Sequence, residues 1–338
     1  MTTEDVSRSL LAAAAAGEAD LADLQRHTEA LADEGSWAEL AVLRDAMRAA
    51  PLGRRSVRPL VAHVEHRLAL DAPGPLAGAI VREAEPDDFA IGPLSEVAAA
   101  RHTWAELAPH LGDGPVRSLV AYERVLRGED LRRDRSIDTS VFDLPLAIAD
   151  WEPTYPIATY EPWRGIFPTP AGTPQLTETA LSEELAPLVG DLGATEALLE
   201  LVRPWTTESN GMAEAVCVHG DVFDAVGALG FESASIGRIE ASRALATMAW
   251  TAASGGAHGR RRGAAAGRFL AWWTTAALAD LTDDWPVHGD EIGDAAAELA
   301  WFAWSTDELV SAWSFRLAVV DPASGVSWAI SAADQRLD

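Results

Sequence analysis

No lysine occurs anywhere in the 338 residues: all 26 basic side chains are arginines, set against 52 Asp and Glu. That absence closes several chemistries at once. There is no amine for a Schiff base or for covalent attachment of pyridoxal phosphate, no P-loop lysine, no kinase strand lysine and no Ser-x-x-Lys nucleophile pair. Cysteine is almost as scarce. Cys217 is the single one, which excludes an intrachain disulfide and a multi-cysteine zinc site and fits a reducing compartment. Long apolar runs are missing too. The longest, Phe269 to Ala279, is too short to cross a bilayer. The run from Leu10 to Ala16 is bracketed by Glu4, Asp5, Glu18 and Asp20, the wrong flanks for a signal peptide. A cytoplasmic protein without a membrane partner is the expectation. No Gly-x-Ser-x-Gly, His-Glu-x-x-His, Gly-x-Gly-x-x-Gly or EF-hand pattern occurs, so no metal and no cofactor are expected, and the balance leans away from an enzyme.

What is abundant is negative charge. The formal net charge is -26, and both halves carry it: 17 Arg against 28 acids in residues 1–170, 9 against 24 in residues 171–338. Such a surface repels nucleic acid, which is not expected as a partner. One stretch breaks the pattern. Ala241 to Ala279 holds no Asp or Glu in 39 residues, where composition alone would place about six. Into this gap fall Arg243 and the run from Gly255 through His258, Arg260, Arg261 and Arg262 to Arg268.

Residues 1–135 read as a helical array, with apolar residues at helical spacing punctuated by Gly17, Gly35 and Pro51. Asp20–Glu34 and Ser36–Ala49 read as a helix pair. Residues 136–175 form a connecting segment dense in proline and aromatic residues, which favours extended backbone. Residues 176–338 read as an α+β domain: helical stretches near 178–202, a buried strand over Ala213–His219, and a short helix capped by Asp221. Long helices are then expected over Ile236–Ala253 and Ala257–Leu281. A closing β-meander follows from Leu299–Trp304, Trp313–Asp321 and Val326–Ala332, whose alternation turns Trp313, Phe315, Trp328 and Ile330 to one apolar face. The fold class is α+β, predominantly helical, an irregular N-terminal helical array plus C-terminal helices packed on a small antiparallel sheet.

Three motifs together carry a resemblance. They are Trp151-Glu152-Pro153 with Tyr155 and Tyr160; Gly255-Gly256-x-His258-Gly259-Arg260-Arg261-Arg262-Gly263 running into Gly267-Arg268-Phe269-x-x-Trp272-Trp273; and Trp313 to Pro322 followed by Gly325-x-x-Trp328-Ala329. Over residues 115–338 the chain resembles an uncharacterised family of bacterial, mainly actinobacterial, proteins carried as a domain of unknown function. The resemblance implies no activity.

Two site candidates stand out. On a continuous helix, Gly255, Gly259, Gly263 and Gly267 form a stripe for close packing, leaving Arg261, Arg268 and Trp272 on the far side with His258 and Arg262 beside them. Guanidinium forks near a glycine-rich helix start suit a small anion; the same arginines, Arg260 included, could instead pair with carboxylates elsewhere in the fold. Trp151, Glu152, Tyr155 and Tyr160 are candidates for a pocket lining, or they seal a domain seam. His63, Glu65 and His66 read as a solvated helix face lacking a third ligand, Cys217 with His219 and Asp221 as an inert buried thiol, and Glu208, Asn210 and Glu214 as a polar turn. The expected role is an interaction or scaffold protein whose acidic helical array meets a protein partner. The alternative is a small-anion-binding domain or lysine-independent enzyme on Arg260–Arg268.

Overall fold

Helical periodicity in the first 130 residues is realised, in a computed structural model of the chain, as α1 (Leu21–Asp33), α2 (Trp37–Ala49), α3 (Arg54–Asp71), α4 (Gly74–Arg82), α5 (Leu94–Arg101), α6 (Trp104–Leu107) and α7 (Pro115–Leu126). The structure describes residues 21–49, 54–83, 89–182, 186–190, 192–307 and 313–334, with five isolated positions outside those runs. The α1–α2 pair turns at Gly35, whose φ of 70° is open to glycine and strained for other residues; the Ser36 amide closes the end of α1 on the Leu31 carbonyl at 2.9 Å. Leu24, Leu31, Leu40, Leu43 and Met47 then meet Val61, Val64, Leu68 and Ile80 in one core. Residues 1–129, 134–138 and 158–166 make up this first compact unit, and residues 130–133, 139–157 and 167–338 the second. The proline-rich segment is therefore shared out between the two.

Its contribution to the first unit is a hairpin, β1 (Thr159–Glu161) and β2 (Arg164–Ile166). The Tyr160 hydroxyl donates to Glu96 Oε2 at 2.7 Å, His66 Nε2 to the Glu161 carbonyl at 2.8 Å, and Arg127 Nη2 to the Ala158 carbonyl at 3.0 Å. Trp163 stacks on His63 with centroids 4.2 Å apart. The expectation of a solvated face at His63–His66 is thereby corrected. Glu65 and His66 are buried, because α3 is covered by α2 on one side, where Arg48 meets Glu65 at 2.6 Å, and by the hairpin on the other.

The second unit holds a six-stranded antiparallel sheet in the order β3 (Thr177–Ala180), β5 (Ser233–Ile239), β6 (Ala300–Ser305), β7 (Trp313–Asp321), β8 (Val326–Asp334), β4 (Met212–His219). With it pack α8 (Leu192–Leu201), α9 (Arg203–Thr207), α10 (Val222–Gly227), α11 (Ala241–Ala253), α12 (Ala264–Leu278) and α13 (Gly289–Glu298). The α+β class stands. Phe315, Trp328 and Ile330 are buried as the alternation required, and the partly buried Trp313 stacks on Trp250. The opposite face is apolar as well: Ala318, Ala329 and Val320 pack with Val222, Ala225 and Val226 of α10, so the meander is covered on both sides where one had been expected.

Other expectations are overturned. Thr177–Ala180 is a strand where helix was expected from about 178, and Ile236–Ile239, expected to open a long helix, instead end strand β5 (Ser233–Ile239). Glu240 alone separates the apolar positions of β5 from those of α11, and the two periodicities run together. Gly237 marks the difference, since a Cβ there would lie 1.9 Å from the Gln175 carbonyl oxygen. The segment Ser254–Gly263 is a loop, and α12 begins at Ala264. Gly255 and Gly259 face one another across that loop with no room for side chains, and a single member of the supposed stripe, Gly267, serves close helix packing, against the Ala249 carbonyl. β4 lies at the sheet margin, paired along one side with β8, where a buried strand had been expected.

Candidate functional site

Arg268 and Trp272 sit one turn apart on α12 and share a face. Across it runs the irregular stretch from Asp143 to Tyr155, with Asp143 in a left-handed conformation at φ 54°. A turn closed by the Glu152 amide on the Ala149 carbonyl at 3.0 Å brings the Glu152 carboxylate over the guanidinium. Both side chains are fully buried. Arg268 grips the carboxylate as a fork, Nε to Oε2 at 2.8 Å and Nη2 to Oε1 at 2.7 Å. Its remaining reach goes to backbone: Nη1 to the Pro145 carbonyl at 2.9 Å and Nη2 to the Ala147 carbonyl at 3.0 Å.

Glu152 is equally occupied. Oε2 also accepts from the Tyr155 hydroxyl at 2.7 Å and from Trp272 Nε1 at 3.0 Å, and Oε1 from the Ala149 amide at 2.8 Å. An ionised carboxylate offers about four lone-pair directions, and these donors exhaust them. Burial, and after it the adjacent Glu152 charge, hold the Tyr155 hydroxyl well above its ordinary pKa of 10.0, so it stays a proton donor to the carboxylate. Trp151 lies against Trp272 at 5.0 Å and over Gly293 of α13, where a Cβ would come within 2.8 Å of the indole. Five of the expected residues from two separate candidates, Trp151, Glu152, Tyr155, Arg268 and Trp272, thus converge on one centre. Its polar groups are turned on each other. With the carboxylate's lone pairs taken, four of the five guanidinium N–H groups engaged and both side chains sealed from solvent, the chemistry left to them is fastening the 145–152 stretch to α12. Beside this latch opens a cavity of about 690 Å³, whose walls include Leu144–Ala149, Arg132, Pro286 and His288.

The other expected residues go elsewhere. Tyr160 belongs to the first unit, bonded to Glu96. His258 and Arg260 are exposed on the glycine loop; the Arg260 amide and Nε both reach Glu208 Oε2, at 2.9 and 3.4 Å. That contact, led by the backbone amide, lowers the Glu208 pKa. Arg262 Nη2 pairs with Glu200 Oε1 at 3.2 Å, and its own pKa is lowered, burial being the largest cause. Arg261 lies over the Phe167 ring at 4.7 Å. Asp334, marked by no motif, is fully buried and takes the Ala257 amide at 2.5 Å and the Ser209 hydroxyl at 3.0 Å, pinning the loop. Nothing local announces it, since its partners lie 77 and 125 residues away. Cys217 is a buried thiol, His219 is exposed, and Asp221 caps α10 through the Phe223 and Asp224 amides.

Among the described residues, no group of three or more His, Cys, Asp or Glu side chains is placed to hold a metal ion, and no helix is long and apolar enough to cross a membrane. No curated protein and no solved structure matches the chain. A family model does, over residues 22–336, which carries the resemblance drawn from residues 115–338 across the helical unit as well. The chain belongs to that family, the family of unknown function DUF6183.

Proposed function

We propose that the chain is a protein-interaction module whose partner docks on the margin of the six-stranded sheet. The observation carrying this reading is the placement of its most exposed large apolar side chains. Met212, at the start of β4, is 76% exposed, and Leu188, bridged to Val218 near its end, is 72% exposed. Met212 lies on the outer strand and Leu188 on the short stretch bridged to it, and apolar side chains gathered at a sheet margin mark a contact surface. The lone buried cysteine fits a cytoplasmic setting for such a module.

The anion-binding alternative loses its strongest member because Arg268 is consumed by Glu152 and two carbonyls. What favours it still is the exposed pair His258 and Arg260. One experiment separates the two. Immobilised wild-type protein and the double variant Leu188→Asp, Met212→Asp are compared for the proteins they retain from cell extract, and both are melted with and without phosphate and sulfate. Partners held by the wild type and lost by the double variant, with no melting response to either anion, are the expected result. An unchanged set of partners would sink the interaction reading. A melting temperature raised by phosphate, and no longer raised in Arg260→Gln, would establish the alternative by mass action.

A further inference from the structure

We infer that β4 recruits its partner by strand addition, and that the incoming segment is extended and basic. This rests on the interaction reading above and specifies its chemistry.

Along an antiparallel strand, successive residues turn their backbone N–H and C=O to opposite sides. The Cys217 carbonyl accepts from the Val189 amide at 2.9 Å, and the His219 amide donates to the Pro187 carbonyl at 3.1 Å. Both residues therefore face away from β8. By the same parity Ala213 and Ala215 face away from β8 too, while Met212, Glu214, Val216 and Val218 bond to it. The short 186–190 stretch covers the outer side of β4 only at Cys217–His219, before the chain turns into α8. Two N–H and two C=O groups, those of Ala213 and Ala215, are left without a hydrogen-bond partner among the described residues. An extended segment laid along Met212–Val216 would satisfy all of them, in line with 186–190.

Charge chooses the occupant. Glu214 is exposed and is the one charged side chain in Met212–Val218. A second copy of this chain using both free residues must pair Ala213 with Ala215 of the other copy, which sets Glu214 opposite Glu214. Like charges directly opposite one another destabilise a strand pair, and a net charge of -26 on each copy adds to the repulsion. A partner strand carrying Lys or Arg opposite Glu214 and an apolar residue beside Met212 meets the same edge with attraction. The small side chains of Ala213 and Ala215 leave space on the other face for larger ones.

The test uses the whole protein and a fluorescein-labelled octapeptide of alternating Val and Lys, followed by anisotropy. A Val–Glu octapeptide and a Val–Lys peptide N-methylated at alternate residues serve as controls. Binding of the Val–Lys peptide alone, weakened by salt, is the expected result. Ala215→Pro removes one outward N–H at a margin position where proline is tolerated, and weakens binding about tenfold or more at an unchanged melting temperature. Should that variant fail to fold, Glu214→Lys gives an independent readout by transferring preference to the Val–Glu peptide. Equal binding of both charge types, or undiminished binding of the N-methylated peptide, would overturn the inference. So would a concentration-dependent dimer that Ala215→Pro dissolves. Partners lost from the Leu188→Asp, Met212→Asp variant but kept by a folded Ala215→Pro variant would refute strand addition while leaving the interaction reading in place.

Discussion

Two buried polar centres do the same task with different chemistry. In the second unit, Arg268 holds an irregular stretch to α12 through the Pro145 and Ala147 carbonyls. In the first, His66 holds the β1–β2 hairpin to α3 through the Glu161 carbonyl. Arg268 is permanently charged, and its partner Glu152 has every lone pair engaged. His66 donates through Nε2 to an oxygen that can only accept, so its proton sits there, and the buried Nδ1 has no hydrogen-bond partner among the described residues. One fastening has its carboxylate fully engaged. The other keeps an unused ring nitrogen in a buried place. The difference teaches that a buried pair bonded to each other, however rich in catalytic residue types, is a structural device, and that a buried imidazole with an unpartnered nitrogen is the one that responds to its surroundings.

The comparison breaks most visibly at Arg268. Arg268→Gln strands a carboxylate in a dry interior, and the expected loss is about 3–5 kcal/mol of stability, measured by urea unfolding. An apolar double replacement, Glu152→Met with Arg268→Met, should lose less than either single change, because the cost lies in the orphaned charge. A single variant as stable as wild type would show that the latch is not saturated.

His66 is sharpened by pH. Its folded-state pKa lies below the ordinary 6.5, chiefly through burial; the Glu161 carbonyl and Asp71 pull upward, His63 and Arg67 downward. The unfolded chain thus takes up a proton first as pH falls. The contribution to stability is full above about 6.5 and is lost as pH falls from there through the lowered folded value. Burial lowers His102 and His27 in the same direction, so the expected stability slope between pH 7.5 and 5.5 is shared. His66→Gln, which keeps a donor for the Glu161 carbonyl, should reduce that slope, and an unchanged slope would remove His66 from the account. The smallest effect belongs to the exposed pair of Arg260 and Glu208. Arg260→Gln is expected to change stability by no more than about 1 kcal/mol, and a loss as large as that of Arg268→Gln would erase the distinction between surface and interior pairing.

Parts of this were legible before any fold was known. Alternation in Trp313–Asp321 and Val326–Ala332 determined the meander and its buried aromatic face, since a strand's period depends on local backbone geometry. Gly35 between two apolar-periodic stretches determined the α1–α2 pair, and Asp221 before Val222 the capped start of α10, again within a few residues. The absence of lysine determined which covalent chemistries are closed. Tertiary structure alone decided the rest. Arg268 and Glu152 stand 116 residues apart, and no spacing rule connects them. Whether Gly255–Gly267 is a helical stripe or a loop depended on Asp334 reaching the Ala257 amide from the end of β8. Whether Ala213–His219 lies at the centre of a sheet or at its margin depended on strand order, which arises from contacts between distant segments. The open groups of Ala213 and Ala215 exist for that reason: local sequence makes a strand, and its neighbours decide which of its hydrogen bonds remain to be given to another chain.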